Sequence, residues 1–225
     1  SDGLSQVCIP SIYQDELGAV WLGTTEGLNR YNGKDVRVFQ PSESNHGLTN
    51  NEINELCGDK NGRMYIRSGN DLIKLDIYTE QFTCLRQKGV YGLFCKKDTL
   101  WVSCADGIYY YTGQGTELTF FARVQKGFVG RALYVDRETV WVVTRKYLVA
   151  ISREDPLRQE ILLTLDKGNC ILGDSSGNIW VGAWNGLYRV SPDRRQPLML
   201  VIREWVNYPI IRSDACWKMI LSIFG

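Results

Sequence analysis

The chain has 225 residues, 44% hydrophobic and 23% charged, the composition of an ordinary soluble globular protein with a sizeable core. Its 26 basic and 25 acidic residues are dispersed and sum to a net charge of +1, without the clustered positive footprint that nucleic-acid binding requires. No stretch approaches the roughly 18 apolar residues of a membrane span, and no signal peptide opens the chain, so no membrane-embedded segment is expected.

The first unit reads as four short strands, about 7–13, 19–24, 28–31 and 36–40, rich in β-branched and aromatic residues and bounded by turn residues. Asp15 and Gly18 stand first and fourth in the first turn. There a carboxylate accepts a backbone N–H and glycine adopts positive φ, which suits a hairpin on a type I turn. A polar linker follows and holds His46, the single histidine. Next come Asp59-Lys60-Asn61-Gly62-Arg63-Met64-Tyr65-Ile66, a weaker copy of the first hairpin, and Asp98-Thr99-Leu100-Trp101-Val102-Ser103 with Asp106-Gly107-Ile108-Tyr109. A further copy, Glu138-Thr139-Val140-Trp141-Val142-Val143, precedes the clearest one, Asp174-Ser175-Ser176-Gly177-Asn178-Ile179-Trp180-Val181-Gly182. The third and fourth units lack the Asp-x-x-Gly turn and shorten it to Lys97-Asp98 and Arg137-Glu138. Residues 213–225 resemble the start of another unit.

The key aromatic thus falls at 21, 65, 101, 141 and 180, with spacings of 44, 36, 40 and 39. No stretch shows helical periodicity. One four-stranded sheet of this length has two faces to bury, and stacking similar sheets radially buries both. The expected fold is therefore all-β: a β-propeller of four-stranded antiparallel blades, about five blades plus the first strand of a sixth. The units span approximately 4–41, 48–86, 89–124, 130–166 and 169–204, with 213–225 opening a further one. The repeated Trp is expected to pack between blades.

Seven cysteines, Cys8, Cys57, Cys84, Cys95, Cys104, Cys170 and Cys216, form no C-x-x-C pair. Most lie in apolar strand runs and read as free, small core residues. With one histidine, no metal site and no cofactor are expected.

The pattern Asp-x-x-Gly-x-Φ-Trp-Φ-Gly-Thr-x-x-Gly-Leu-x-x-Tyr of residues 15–31 resembles the two-component regulator propeller repeat. Residues 174–190 fit it with Ala183 in place of Thr. Gly3-Leu4-Ser5 and the linker Leu48-Thr49-Asn50-Asn51-Glu52-Ile53 are also similar to that family. The resemblance implies a periplasmic sensor segment of a hybrid two-component regulator that responds to glycan breakdown products. It also implies a fragment of a seven-bladed propeller, whose open edge would meet the missing blades or another copy of the chain.

Three functions remain open. For sensing, the loops on one propeller face are the candidate site, with an oligosaccharide as possible ligand. Glu26, Asn70, Asp71, Asp106, Arg145, Lys146, Trp184 and Asn185 fall there. Of these, Trp184, Asn185, Arg145, Asp106 and Asp71 are the expected ligand-binding residues, with the Trp184 indole stacking on a sugar. A propeller enzyme, lyase or glycosidase, is the first alternative. No catalytic residues are assigned, because His46 reads as an exposed loop residue and the acids sit mostly at turns. A protein-interaction scaffold is the second.

Overall fold

The computed structural model describes residues 3–5, 7–41, 47–193 and 197–200. They form five four-stranded antiparallel sheets and, as the one helical element among them, a 3-10 turn at Gln125–Gly127. The described residues fall into two compact units, divided at the end of the third sheet, near Phe121. The first unit holds three sheets: β1 (Ser11–Gln14), β2 (Val20–Thr24), β3 (Gly27–Tyr31), β4 (Val36–Phe39); β5 (Ile53–Gly58), β6 (Arg63–Ser68), β7 (Asp71–Asp76), β8 (Gln81–Arg86); and β9 (Val90–Lys96), β10 (Thr99–Cys104), β11 (Gly107–Tyr111), β12 (Thr119–Ala122). The second holds β13 (Gly130–Val135), β14 (Thr139–Thr144), β15 (Tyr147–Ser152), β16 (Gln159–Thr164), then β17 (Cys170–Gly173), β18 (Ile179–Ala183), β19 (Gly186–Val190) and β20 (Leu198–Leu200). Each sheet is a simple meander in which spatial order follows chain order. The opening strand is shorter than expected. Val7 to Pro10 stay outside β1, since Pro10 has no N–H to give a ladder. The stretch 213–225 and His46 lie outside the described residues.

Burial follows the expectation from the repeat. In the first unit, Trp21, Leu28 and Phe39 of one sheet pack with Ile53, Leu56, Met64 and Phe82 of the next. Tyr65 and Leu72 pack in turn with Val90, Leu93, Leu100 and Tyr111 of the third. In the second unit, Trp141, Val143 and Leu148 meet Ile179, Val181 and Ala183. The apolar faces are thus hidden between consecutive sheets, the condition that makes a lone blade unstable.

In the first, second, fourth and fifth sheets the first turn does more than reverse the chain. Asp15 Oδ1 accepts the N–H groups of Leu17 (3.0 Å) and Ala19 (2.8 Å), while Oδ2 accepts the indole N–H of Trp21 at 2.8 Å. Asp174 repeats this with Trp180 at 2.8 Å. In the fourth sheet Asp136 does the same, taking N–H groups from Glu138 and Thr139 (both 2.8 Å) and the indole of Trp141 (2.6 Å). The sequence conceals that role, because the turn is one residue shorter and has no glycine. Asp59 holds its turn through Asn61 and Arg63, but its aromatic is Tyr65, which brings no donor within reach. Its Oδ2 instead forms an ion pair with Arg63 at 2.5 Å, outside hydrogen-bond geometry, and the buried Tyr65 hydroxyl has no hydrogen-bond partner.

First strands of consecutive sheets lie side by side, β1 with β5, β5 with β9, and β13 with β17. Their junctions match a large residue with a small one. A Cβ at Gly58 would stand 2.1 Å from Tyr13 Oη, and one at Gly173 would stand 2.1 Å from Tyr134 Cζ, so only glycine fits at either position.

Candidate functional site

At one end of each unit, the turns between second and third strands lie beside the links that carry the chain from sheet to sheet. Hydrogen bonds, most of them between backbone groups, join them. In the first unit, Asn50 N–H donates to Ser68 Oγ (3.0 Å) and Gly69 N–H to Glu52 O (2.7 Å). The next link is residues 87–89, between β8 and β9. Val90 N–H donates to Asn70 O (3.0 Å), and Gly89 O accepts from Ala105 N–H (2.7 Å). One link thus binds the turns of two sheets. The second unit repeats the arrangement. Leu165 and Gly168 donate to Lys146 O and Arg145 O at 2.7 and 3.0 Å, while Asp166 O accepts from Trp184 N–H at 2.9 Å. Such paired backbone groups hold the loop side chains on a rigid base.

Of the residues expected to bind ligand, Asp106, Arg145, Trp184 and Asn185 lie in these turns and Asp71 opens β7 beside one, but their chemistry divides. Asp71 is engaged internally: its Oδ1 accepts Lys88 N–H at 2.6 Å and fixes the link. Asp106 pairs with Arg86 at 2.7 Å and accepts the Tyr109 hydroxyl at 2.9 Å. Burial raises its pKa, yet the bonds from Arg86 and Tyr109 outweigh that and leave the carboxyl below its ordinary value. Both carboxylates therefore serve the scaffold first.

The second unit offers more to solvent. Trp184 is 54% exposed, in the turn after β18. The ammonium of Lys167, from the adjoining link, sits 3.5 Å from its ring centroid, a close cation–π contact. Asn185 is exposed and donates to the Tyr188 hydroxyl at 2.7 Å. Arg145 and Lys146 are exposed in the neighbouring turn. This unit therefore gathers an open indole, three cations and an amide around one hydrogen-bonded link. Lys167 was not legible in the sequence, because only the link's bonding brings it to the ring.

Also absent from the sequence pattern are three bulges at one structural position. The ladders of β5, β9 and β13 each skip a residue opposite the end of the second strand, inserting Asn54, Tyr91 and Arg131. Bulges of this kind re-aim side chains at functional rims. Asn54 uses its amide to reach Gly69 O at 3.1 Å.

On the first strands, Glu55 is the carboxylate nearest to the enzyme alternative. It is paired with Arg67 (3.3 Å), and burial pushes its pKa up against that pairing. Hydrolysis by paired carboxylates needs a second acid beside it. Among the described residues, no three His, Cys, Asp or Glu side chains are grouped to hold a metal. No helix among them is long and apolar enough to cross a membrane.

Comparison with known proteins agrees with this build. Residues 3–26 match the family model described as two component regulator propeller. A 39-residue stretch is 41% identical to histidine kinase P4 of Formosa agariphila, covering 17% of this chain and 3% of that protein. The fold is similar to the extracellular domain of a hybrid two component system from B. thetaiotaomicron, with a TM-score of 0.76 and 22% identity over 88% of this chain and 30% of that one. It is also similar to streptogramin B lyase, with a TM-score of 0.68 and 16% identity over 90% of this chain and 72% of that one. The chain therefore spans under a third of the two-component domain it resembles. At these identities the likeness is one of fold: all-β, built of propeller blades.

Proposed function

We propose, from the premise that residues 3–26 are a two component regulator propeller repeat heading five like-built sheets, that this chain is a ligand-sensing propeller segment of a hybrid two-component regulator. It works outside the cytoplasm, in the periplasm, and reads glycan breakdown products. The observation that carries the ligand reading is the Trp184–Lys167 pair, an exposed ring with a cation already seated on it. An indole offers a flat apolar surface to the C–H face of a sugar, and the polar edge of such a site fixes orientation.

The charges beside it refine the ligand class. Lys167 sits on the indole, and Arg145 and Lys146 are exposed in the turn bonded to the same link, against one exposed carboxylate there, Asp166; Asp71 and Asp106, in the other unit, are spent on structure. A sugar bearing a carboxylate or sulfate suits that set better than a neutral one. Recognition is expected to combine ring stacking with charge, and so to weaken as salt rises.

Titration calorimetry of the full sensor protein against acidic and neutral oligosaccharide fragments tests this. Acidic fragments should bind, and Trp184→Ala should weaken them by about tenfold, roughly 1.4 kcal/mol. Absence of heat with every fragment, from folded protein, would sink the sugar-sensing reading. Tight binding unaffected by Trp184→Ala would move the site elsewhere.

A further inference from the structure

The junction between the second and third sheets breaks the large-on-small rule. Where Tyr13 meets Gly58 and Tyr134 meets Gly173, the equivalent pair is Cys57 on β5 and Cys95 on β9. Their sulfurs stand 2.7 Å apart, 38 residues distant in sequence. That is within about 0.7 Å of a disulfide bond length, and closer than two thiols rest by packing alone. The two strands run side by side, so the sulfurs face each other across a junction already aligned by neighbouring apolar contacts.

We propose that Cys57 and Cys95 form a disulfide that staples the second sheet to the third. In the reaction two S–H bonds break and one S–S bond forms. The thiols release two protons and two electrons, which reduce a disulfide oxidant, such as an oxidised dithiol protein or oxidised glutathione, to two thiols. Three further observations bear on the assignment. Cys170 is disulfide-bonded, so the chain already contains one bond of this kind. Cys57 and Cys95 stand as free thiols, like Cys8, Cys84 and Cys104, and the sulfur–sulfur contact is what marks them as the pair to be joined. Burial, then the neighbouring Cys95 and the charges of Glu55 and Asp59, push the Cys57 thiol well above its ordinary value. A raised thiol pKa slows thiol–disulfide exchange, so the bond is expected to form while the chain folds, before burial of the pair is complete.

The test uses the complete chain, folded with a mixture of oxidised and reduced glutathione, then denatured and alkylated without reduction before proteolysis. A peptide joining Cys57 to Cys95 is expected, with Cys8, Cys84 and Cys104 alkylated. Full alkylation of both Cys57 and Cys95 would overturn the proposal. Thermal unfolding gives a second readout that allows for the bond at Cys170. Reductant should lower the midpoint of the wild type by roughly 5 °C more than that of a Cys57→Ser, Cys95→Ser variant. Equal drops would overturn it as well.

Discussion

Trp21 is wholly buried and also donates its indole N–H to Asp15, so its two contributions can be separated by substitution. Trp21→Phe keeps most of the apolar area and strands one carboxylate oxygen. Leaving a buried acceptor unsatisfied costs about 1–3 kcal/mol, and urea unfolding should report a loss in that range. Tyr65 sits at the equivalent place with a hydroxyl that has no hydrogen-bond partner. Tyr65→Phe removes a buried group that gains nothing from folding, so its urea midpoint should stay level or rise. A large drop there would show that the hydroxyl is used. At this scale the sequence disclosed the aromatic positions and the turn role of Asp15, Asp59 and Asp174. It did not disclose the carboxylate–indole bond, because six positions of separation carry meaning only once the hairpin is folded.

The unit of construction is the hairpin with its turn, and the unit of assembly is the junction between first strands. Strand order and the five meanders were legible from periodic aromatics and Asp-x-x-Gly turns, since each is fixed by local chemistry. Gly18, Gly62 and Gly177 do take positive φ, at 85°, 86° and 82°, as that turn requires. Bulges at Asn54, Tyr91 and Arg131 were not legible, because an inserted residue leaves the alternation of a short strand almost unchanged. The Tyr–Gly contacts were equally hidden, being set by the neighbouring sheet. They predict that Gly173→Ala, whose new methyl meets Tyr134 Cζ and Oη, destabilises by about 1–3 kcal/mol. Adding Tyr134→Leu to that variant should recover part of the loss, measured as a double-mutant cycle in urea. Simple additivity of the two would show that the ring and the methyl do not meet.

Across the molecule, the turn and loop carboxylates set the response to acid. Asp76 lies below its ordinary pKa chiefly through the Thr79 N–H. Asp106 and Asp174 do so because hydrogen bonds outweigh the burial that raises them. A depressed folded pKa gives stability that is present above the unfolded value, near 4, and is lost as pH falls through the folded one. Glu55 is raised and acts in the opposite sense, favouring the folded state once protonated. With three groups against one, the urea midpoint should fall between pH 5 and about pH 2, and Asp174→Asn should flatten part of that fall. An unchanged midpoint over this interval would contradict the sign. The function was less legible than the architecture. The turn positions of Trp184 and Arg145 were readable from hairpin spacing, whereas the spending of Asp71 and Asp106 on the scaffold depends on partners 17 and 20 residues away.

The matched sizes at the sheet junctions also bear on how such a molecule can change over generations. Tyr13 needs a glycine next door, Tyr134 needs another, and Cys57 faces a cysteine. The blades are therefore not interchangeable bricks. A tandem duplication of the first sheet would set Tyr13 against Gln14 and leave no room for the ring. New copies would have to be inserted as neighbouring pairs, or be trimmed at that one position before they could be kept.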